Sequence, residues 1–207
     1  MPTLAEKIAH YPCIAILRGL TPKKVNVVGH MLYKQGCRVA EVPLNKADAF
    51  VCIEKLMQTM PEDCLIGAGT VTNIGQVKKL SKLGVKLIIT PNLDKAIIKC
   101  AIESGMTVVP GIATATEAFD AYNLGAKYLK LFPAVSYGVS HLKALLAVLP
   151  ADVNIIPVGG VNGVNLTEWL NAGAIAVGLG NDLYQSGDEI NQIEEKLAII
   201  NNAIIKR

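Results

Sequence analysis

Aromatic residues make up only 5% of the 207-residue chain, which holds one tryptophan and three histidines. So few rings leave little with which to stack bases, and no nucleic-acid partner is expected. Charge of neither sign dominates: 20 Lys and Arg against 17 Asp and Glu give a net +3. The densest basic cluster, Lys78, Lys79 and Lys82, has helical spacing and reads as a solvated helix face rather than a polyanion patch. The five cysteines, Cys13, Cys37, Cys52, Cys64 and Cys100, are odd in number and contain no C-x-x-C pair. That pattern speaks against a disulfide framework and a zinc knuckle, and leaves reduced, buried thiols. His10, His30 and His141 are isolated, so neither a metal site nor a cofactor is expected. No stretch reaches the ~18 apolar residues of a membrane span. Met1 to His10 contains Glu6 and no continuous apolar run, unlike a signal peptide. A soluble, cytoplasmic protein that does not engage a membrane is expected.

What the chain does have is aliphatic mass. Hydrophobic residues are 51% of the sequence, chiefly Ala, Val, Ile and Leu, a mixture suited to parallel strands buried on both faces. A unit recurs in which a helical segment ends at glycine and an apolar run follows within a few residues. It occurs at Gly36 before 39–42, Gly84 before 87–90, Gly105 before 107–110, Gly125 before 128–132 and Gly173 before 176–179. Glycine in this place closes a helix and delivers the chain to a strand. With further short runs at 13–17, 65–67 and 154–158, the count of strands is eight. Thr21 before Pro22, Asn73 before Gln76 and Asp94 before Ile97 read as helix starts. Ile190, Ile193, Leu197, Ile200 and Ile204 give the last helix its apolar stripe. Eight alternations predict an α/β fold, a (β/α)8 TIM barrel formed by a single domain over residues 1–207. The rival, an open doubly wound sheet, lacks its G-x-G-x-x-G after the first strand.

Barrel enzymes work at the C-terminal ends of their strands. Lys130 lies in the sixth strand, inside Tyr128-Leu129-Lys130-Leu131-Phe132, where an ammonium would be desolvated and its amine made nucleophilic. Glu41 is a charge inside the second strand, either a proton shuttle facing that lysine or an ion-pair partner of Arg38 or Lys130. Arg18, after the first strand, suits a carboxylate clamp. Thr70 follows Gly67-Ala68-Gly69, where small residues leave room for a ligand. Gly159 and Gly160 after the seventh strand, and Gly178-Leu179-Gly180-Asn181 after the eighth, fall where such barrels bind a phosphate through backbone N–H groups.

Taken together, these segments resemble the bacterial class I keto-deoxy-phosphosugar-acid aldolases. The resemblance runs through Ile14 to Gly19, Glu41 to Asn45, Gly67 to Val71, Thr90-Pro91-Asn92, Gly111 to Glu117, Leu129 to Pro133, Val158 to Val161 and Gly178 to Tyr184, nearly the whole chain. It implies a Schiff base on Lys130 with Glu41 moving protons. It further implies Arg18 and Thr70 at the substrate carboxylate, Pro91 and Phe132 as walls, and Gly159, Gly160, Gly180 and Asn181 at the phosphate. The implied substrate is a phosphorylated 2-keto-3-deoxy sugar acid, the products pyruvate and glyceraldehyde 3-phosphate, and the assembly a homotrimer. Asn45 and Val158 stand where the gluconate-type members carry arginine and threonine, which favours a galactonate-type substrate. Asn181 and Ala134 stand where serines are usual. The remaining alternatives are a gluconate-type or 4-hydroxy-2-oxoglutarate aldolase, a phosphosugar isomerase or epimerase, and a non-catalytic phosphometabolite-binding protein.

Overall fold

The structure, a computed structural model, describes residues 3–206. Along these residues run α1 (Leu4–Ile8), β1 (Cys13–Ile16), α2 (Val25–Lys34), β2 (Val39–Pro43), α3 (Ala49–Thr59) and β3 (Leu65–Gly69). Next come α4 (Ile74–Lys82), β4 (Leu87–Ile89), α5 (Lys95–Glu103), β5 (Thr107–Val109), β6 (Gly111–Ile112) and α6 (Ala115–Asn123). The chain finishes with β7 (Tyr128–Leu131), α7 (Ala134–Val148), β8 (Asn154–Pro157), α8 (Leu166–Asn171), β9 (Val177–Leu179) and α9 (Ile190–Ile205). No described helix is long and apolar enough to cross a membrane.

All strand pairs are parallel, in one sheet ordered β5-β4-β3-β2-β1-β9 and a second ordered β6-β7-β8. The order follows the chain and sets the last strand beside the first, without the reversal of a doubly wound sheet. The expected fifth strand, 107–110, ends at Val109 as β5, and the ladder resumes beyond Pro110 as β6. Proline has no N–H for the ladder, but its carbonyl still accepts from the Lys130 amide at 2.8 Å. Between β8 and β9 lie one hydrogen bond, Ile175 N–H to Ile155 O at 3.1 Å, and a bridge between Val158 and Gly178.

Alternation along the strands separates two apolar regions. Ala15, Ala40, Val42, Ala68, Ile88, Leu129 and Ile155 pack outward against the helices. Ile14, Ile16, Val39, Leu87, Ile89, Val109, Ile156 and Val158 turn inward, joined by Leu4 and Ile8 of α1. The inner face is where polar residues become informative.

Gly36, Gly84, Gly105, Gly125 and Gly173 have φ between 68° and 108°, so the expected helix closures form as the sequence indicated. Asn73 caps α4 by accepting from Gln76 N–H at 2.9 Å, and Asp94 caps α5 by accepting from Ala96 and Ile97 at 2.9 and 3.0 Å. Thr21 is a correction. An i→i+3 bond from Lys24 N–H to Thr21 O makes a tight turn first, and α2 starts only at Val25. Ile190 is exposed, leaving Ile193, Leu197 and Ile200 as the buried stripe of α9. Of the five free thiols, Cys64 and Cys100 are only partly buried.

Candidate active site

Three polar side chains are buried among the described residues: Glu41, Thr90 and Lys130. Glu41 follows inward-facing Val39 by two positions in β2, and Lys130 lies between inward-facing Tyr128 and Phe132 in β7, so both belong to the inner face. Lys130 also lines a small cavity of about 10 Å³ with Ile14, Ile16, Ile89, Val109, Ile156, Val158 and Gly178. Its Nζ lies 4.4 Å from the centre of the Phe132 ring.

Burial pulls the Lys130 ammonium below its ordinary range; the charge of Glu41 resists and that of Arg18 reinforces the shift. Burial pushes the Glu41 carboxyl the other way, up to about 7, against the pull of Lys130, Arg18 and the Gly69 backbone amide. Neither group is in an ion pair within 4 Å among the described residues. Arg38 is engaged elsewhere, with Asp63 at 2.7 Å and the Tyr33 ring at 3.8 Å. The ion-pair reading of Glu41 therefore has no partner in either residue. One carboxylate oxygen, Oε2, is buried without any hydrogen bond. A desolvated amine and an unpaired buried carboxyl within one field are the elements of imine chemistry with proton transfer.

Arg18 stands two positions beyond inward-facing Ile16, is exposed, and makes no hydrogen bond or ion pair with the described residues. Its fork is open to an incoming carboxylate. Pro91 is half-buried two positions beyond Ile89. Its turn is fastened by Thr90, whose hydroxyl donates to Asn92 O at 2.5 Å and accepts from Gly111 N–H at 3.4 Å. Asn45 is exposed just beyond β2, and Val158 is buried on the inner face.

The two glycine-rich turns lie at the same end. Gly159 and Gly160 have φ of 92° and 78°, and a Cβ on Gly160 would come within 2.5 Å of Val135 Cβ. Glycine is needed there for both conformation and space. Beyond β9, the amides of Leu183 and Tyr184 each donate to Gly180 O at 2.8 Å, closing a single helical turn. The amides of Gly180, Asn181 and Asp182 ahead of it, like those of Gly159 and Gly160, donate to no acceptor among the described residues. Apart from its two chain neighbours, no described residue comes within 4 Å of where a Gly180 Cβ would be. Free N–H groups around open space suit an anion.

A family model, the KDPG and KHG aldolases, matches residues 4–197. The chain belongs to this aldolase family. It is 42% identical over 187 residues to the 2-dehydro-3-deoxy-6-phosphogalactonate aldolase of Escherichia coli (strain K12), covering 90% of this chain and 91% of that relative. The solved structure of native KDPGal matches with a TM-score of 0.91 at 41% identity, covering 94% of this chain and 95% of the other. The KDPG aldolase of Legionella pneumophila, solved with pyruvate captured at low pH as a covalent carbinolamine intermediate, matches with a TM-score of 0.82 at 27% identity, covering 99% and 98%.

Two features of this aldolase fold escaped the sequence reading. Thr70 has φ 54°, alone among the described non-glycine residues in being positive. A β-branched residue there is strained, and such strain gathers at functional sites. Strict alternation would send Thr70 outward, so its direction is set by this turn rather than by the strand. Thr90, wholly buried, looks in sequence like any threonine ending a strand; only its bond to Gly111, 21 residues on, distinguishes it.

Proposed function

We propose that this chain is a class I aldolase that cleaves 2-dehydro-3-deoxy-6-phosphogalactonate into pyruvate and glyceraldehyde 3-phosphate. The observation that carries the reading is the buried, unpaired Lys130 in the same field as the buried, unpaired Glu41, in a chain 42% identical to an aldolase of that name.

The Lys130 amine adds to the C2 ketone and, with loss of water, forms an iminium that draws electrons without need of a metal. Glu41 takes the proton of the C4 hydroxyl, directly or through a water. The C3–C4 bond breaks, its electron pair passing into the iminium to give an enamine, and glyceraldehyde 3-phosphate leaves. Glu41 returns the proton to C3, and water hydrolyses the pyruvyl iminium to release pyruvate and the free lysine. Arg18 and Thr70 hold the carboxylate end, Pro91, Phe132 and Val158 wall the channel, and Gly159, Gly160, Gly180 and Asn181 receive the phosphate.

The scaffold we assign is one domain, a closed eight-position barrel. Support comes from Pro110 joining β5 to β6 and from the Ile175–Ile155 and Val158–Gly178 links between β8 and β9. A homotrimer is the assembly we assign, on the family resemblance alone.

The test has two arms. Borohydride with pyruvate should label Lys130 irreversibly, which an isomerase, an epimerase or a merely binding protein would not allow. Comparing kcat/KM for the two C4 epimers should favour the galactonate form. Preference for the gluconate form, or for 4-hydroxy-2-oxoglutarate, would overturn the substrate while leaving the imine chemistry standing.

A further inference from the structure

We propose that Gly69 is a positioning residue for Glu41, its absent side chain forming the slot in which the Glu41 carboxylate sits on the inner face it shares with Lys130. The inference rests on the aldolase reading of Glu41 and deepens it.

In the parallel register Glu41 lies opposite Gly67, while Gly69 lies opposite Pro43, one inward-facing step nearer the C-terminal end. Strand side chains lean along the strand, and the Glu41 carboxylate lies against Gly69. A Cβ there would come 1.9 Å from Oε2, 2.3 Å from Cδ and 2.4 Å from Oε1. No real carbon approaches so closely, so an alanine and this carboxylate position exclude each other. The backbone does not demand glycine at 69, because its φ is not among the positive ones; the space does.

Gly67 serves as an internal contrast. A Cβ at 67 would meet the Leu87 side chain and carbonyl at 2.9 Å, so that glycine makes room for β4 rather than for the acid. The slot also explains how a buried carboxylate oxygen with no hydrogen bond keeps a fixed place: the bare backbone of β3 is one wall. Any side chain at 69 displaces the carboxylate from this wall.

In Gly69→Ala, kcat should fall about 100-fold, the cost of roughly an ångström of misplacement, with KM little changed. The pH at which cleavage half-develops should move away from the wild-type value. Borohydride trapping with pyruvate should persist, because imine formation at Lys130 does not use the slot. Glu41→Asp withdraws the carboxylate by one carbon, so Glu41→Asp/Gly69→Ala should be no less active than Glu41→Asp alone. Should Gly69→Ala fold poorly, melting tests the contact instead: Glu41→Ala/Gly69→Ala should melt close to Glu41→Ala, the clash having gone. Wild-type kcat and pH profile in Gly69→Ala, or costs that simply add in activity and melting, would overturn the inference. If Glu41→Gln loses activity while Gly69→Ala keeps it, the slot alone fails; if Glu41→Gln cleaves as wild type, the shuttle and the slot fail together.

Discussion

Lys130 and Glu41 are displaced in opposite directions by the same cause. Desolvation penalises whichever form carries charge, lowering the ammonium and raising the carboxyl to about 7. The proposed mechanism needs both groups without their protons, so the two demands act in the same sense: kcat/KM should rise with pH through about 7 rather than through the ordinary glutamate range. Glu41→Gln should lower kcat by about 100- to 10,000-fold, and its residual profile should report Lys130 alone. A wild-type limb near pH 4.5 would contradict the raised carboxyl. Lys130→Met should abolish both cleavage and borohydride labelling, checked by mass spectrometry of the trapped protein. These two residues were legible in sequence because a charge inside an aliphatic run is conspicuous. Gly69 was legible only as smallness: the room left by Gly67-Ala68-Gly69 reads as ligand space, whereas Gly69 holds the enzyme's own carboxylate. Which strand uses an empty position is a matter of register, and register is a tertiary property.

Among the elements, the segment from Gly180 to Glu189 is tied to the rest of the fold by two lysine side chains. Lys196 of α9 donates to Asn181 O at 3.0 Å and to Asp188 Oδ2 at 2.6 Å, while Lys24 reaches Asp188 O. Burial alone would raise the Asp188 carboxyl, but Lys196, the Gln185 amide and Lys24 outweigh it and keep the carboxyl below its usual range. The turn assigned to the phosphate is thus braced from its carbonyl side by an ammonium. Lys196→Met should loosen it and raise KM for the phosphorylated substrate about tenfold, the scale of one lost charged hydrogen bond, with kcat nearly unchanged. The dephosphorylated sugar acid should show no such change, and steady-state kinetics on both substrates decides it. Helix ends were readable wherever local chemistry sufficed, as at Asn73, Asp94 and the five closing glycines. Thr21 misled because Thr-Pro is also the start of a tight turn, and nothing local chooses between that turn and a helix. Lys196 carried no signal at all, its partners lying 15 and 8 residues earlier on a loop without a pattern.

For the whole molecule, the parallel α/β order follows from eight short aliphatic runs, since each can be satisfied only by neighbours on both edges and helices outside. The resumption of the ladder beyond Pro110 was hidden because Gly111-Ile112 is too short a run to signal a strand. An inner face built this way charges the fold for holding Glu41 ionised, and the sign of that cost is fixed. The folded carboxyl titrates near 7 and the unfolded one in the ordinary range, so between these values the native state binds more protons and stability falls as pH rises. The contribution is full below the unfolded value and lost as pH passes the folded one. Glu41→Gln removes the titration while keeping the shape. The variant should match the wild type near pH 4 and exceed it at pH 8 by on the order of 3 kcal/mol. Urea midpoints of both proteins at several pH values measure this directly. Curves that stay parallel from pH 4 to 8 would mean that Glu41 is not desolvated in the folded chain, and with that the physical ground for a proton shuttle at this position would be gone.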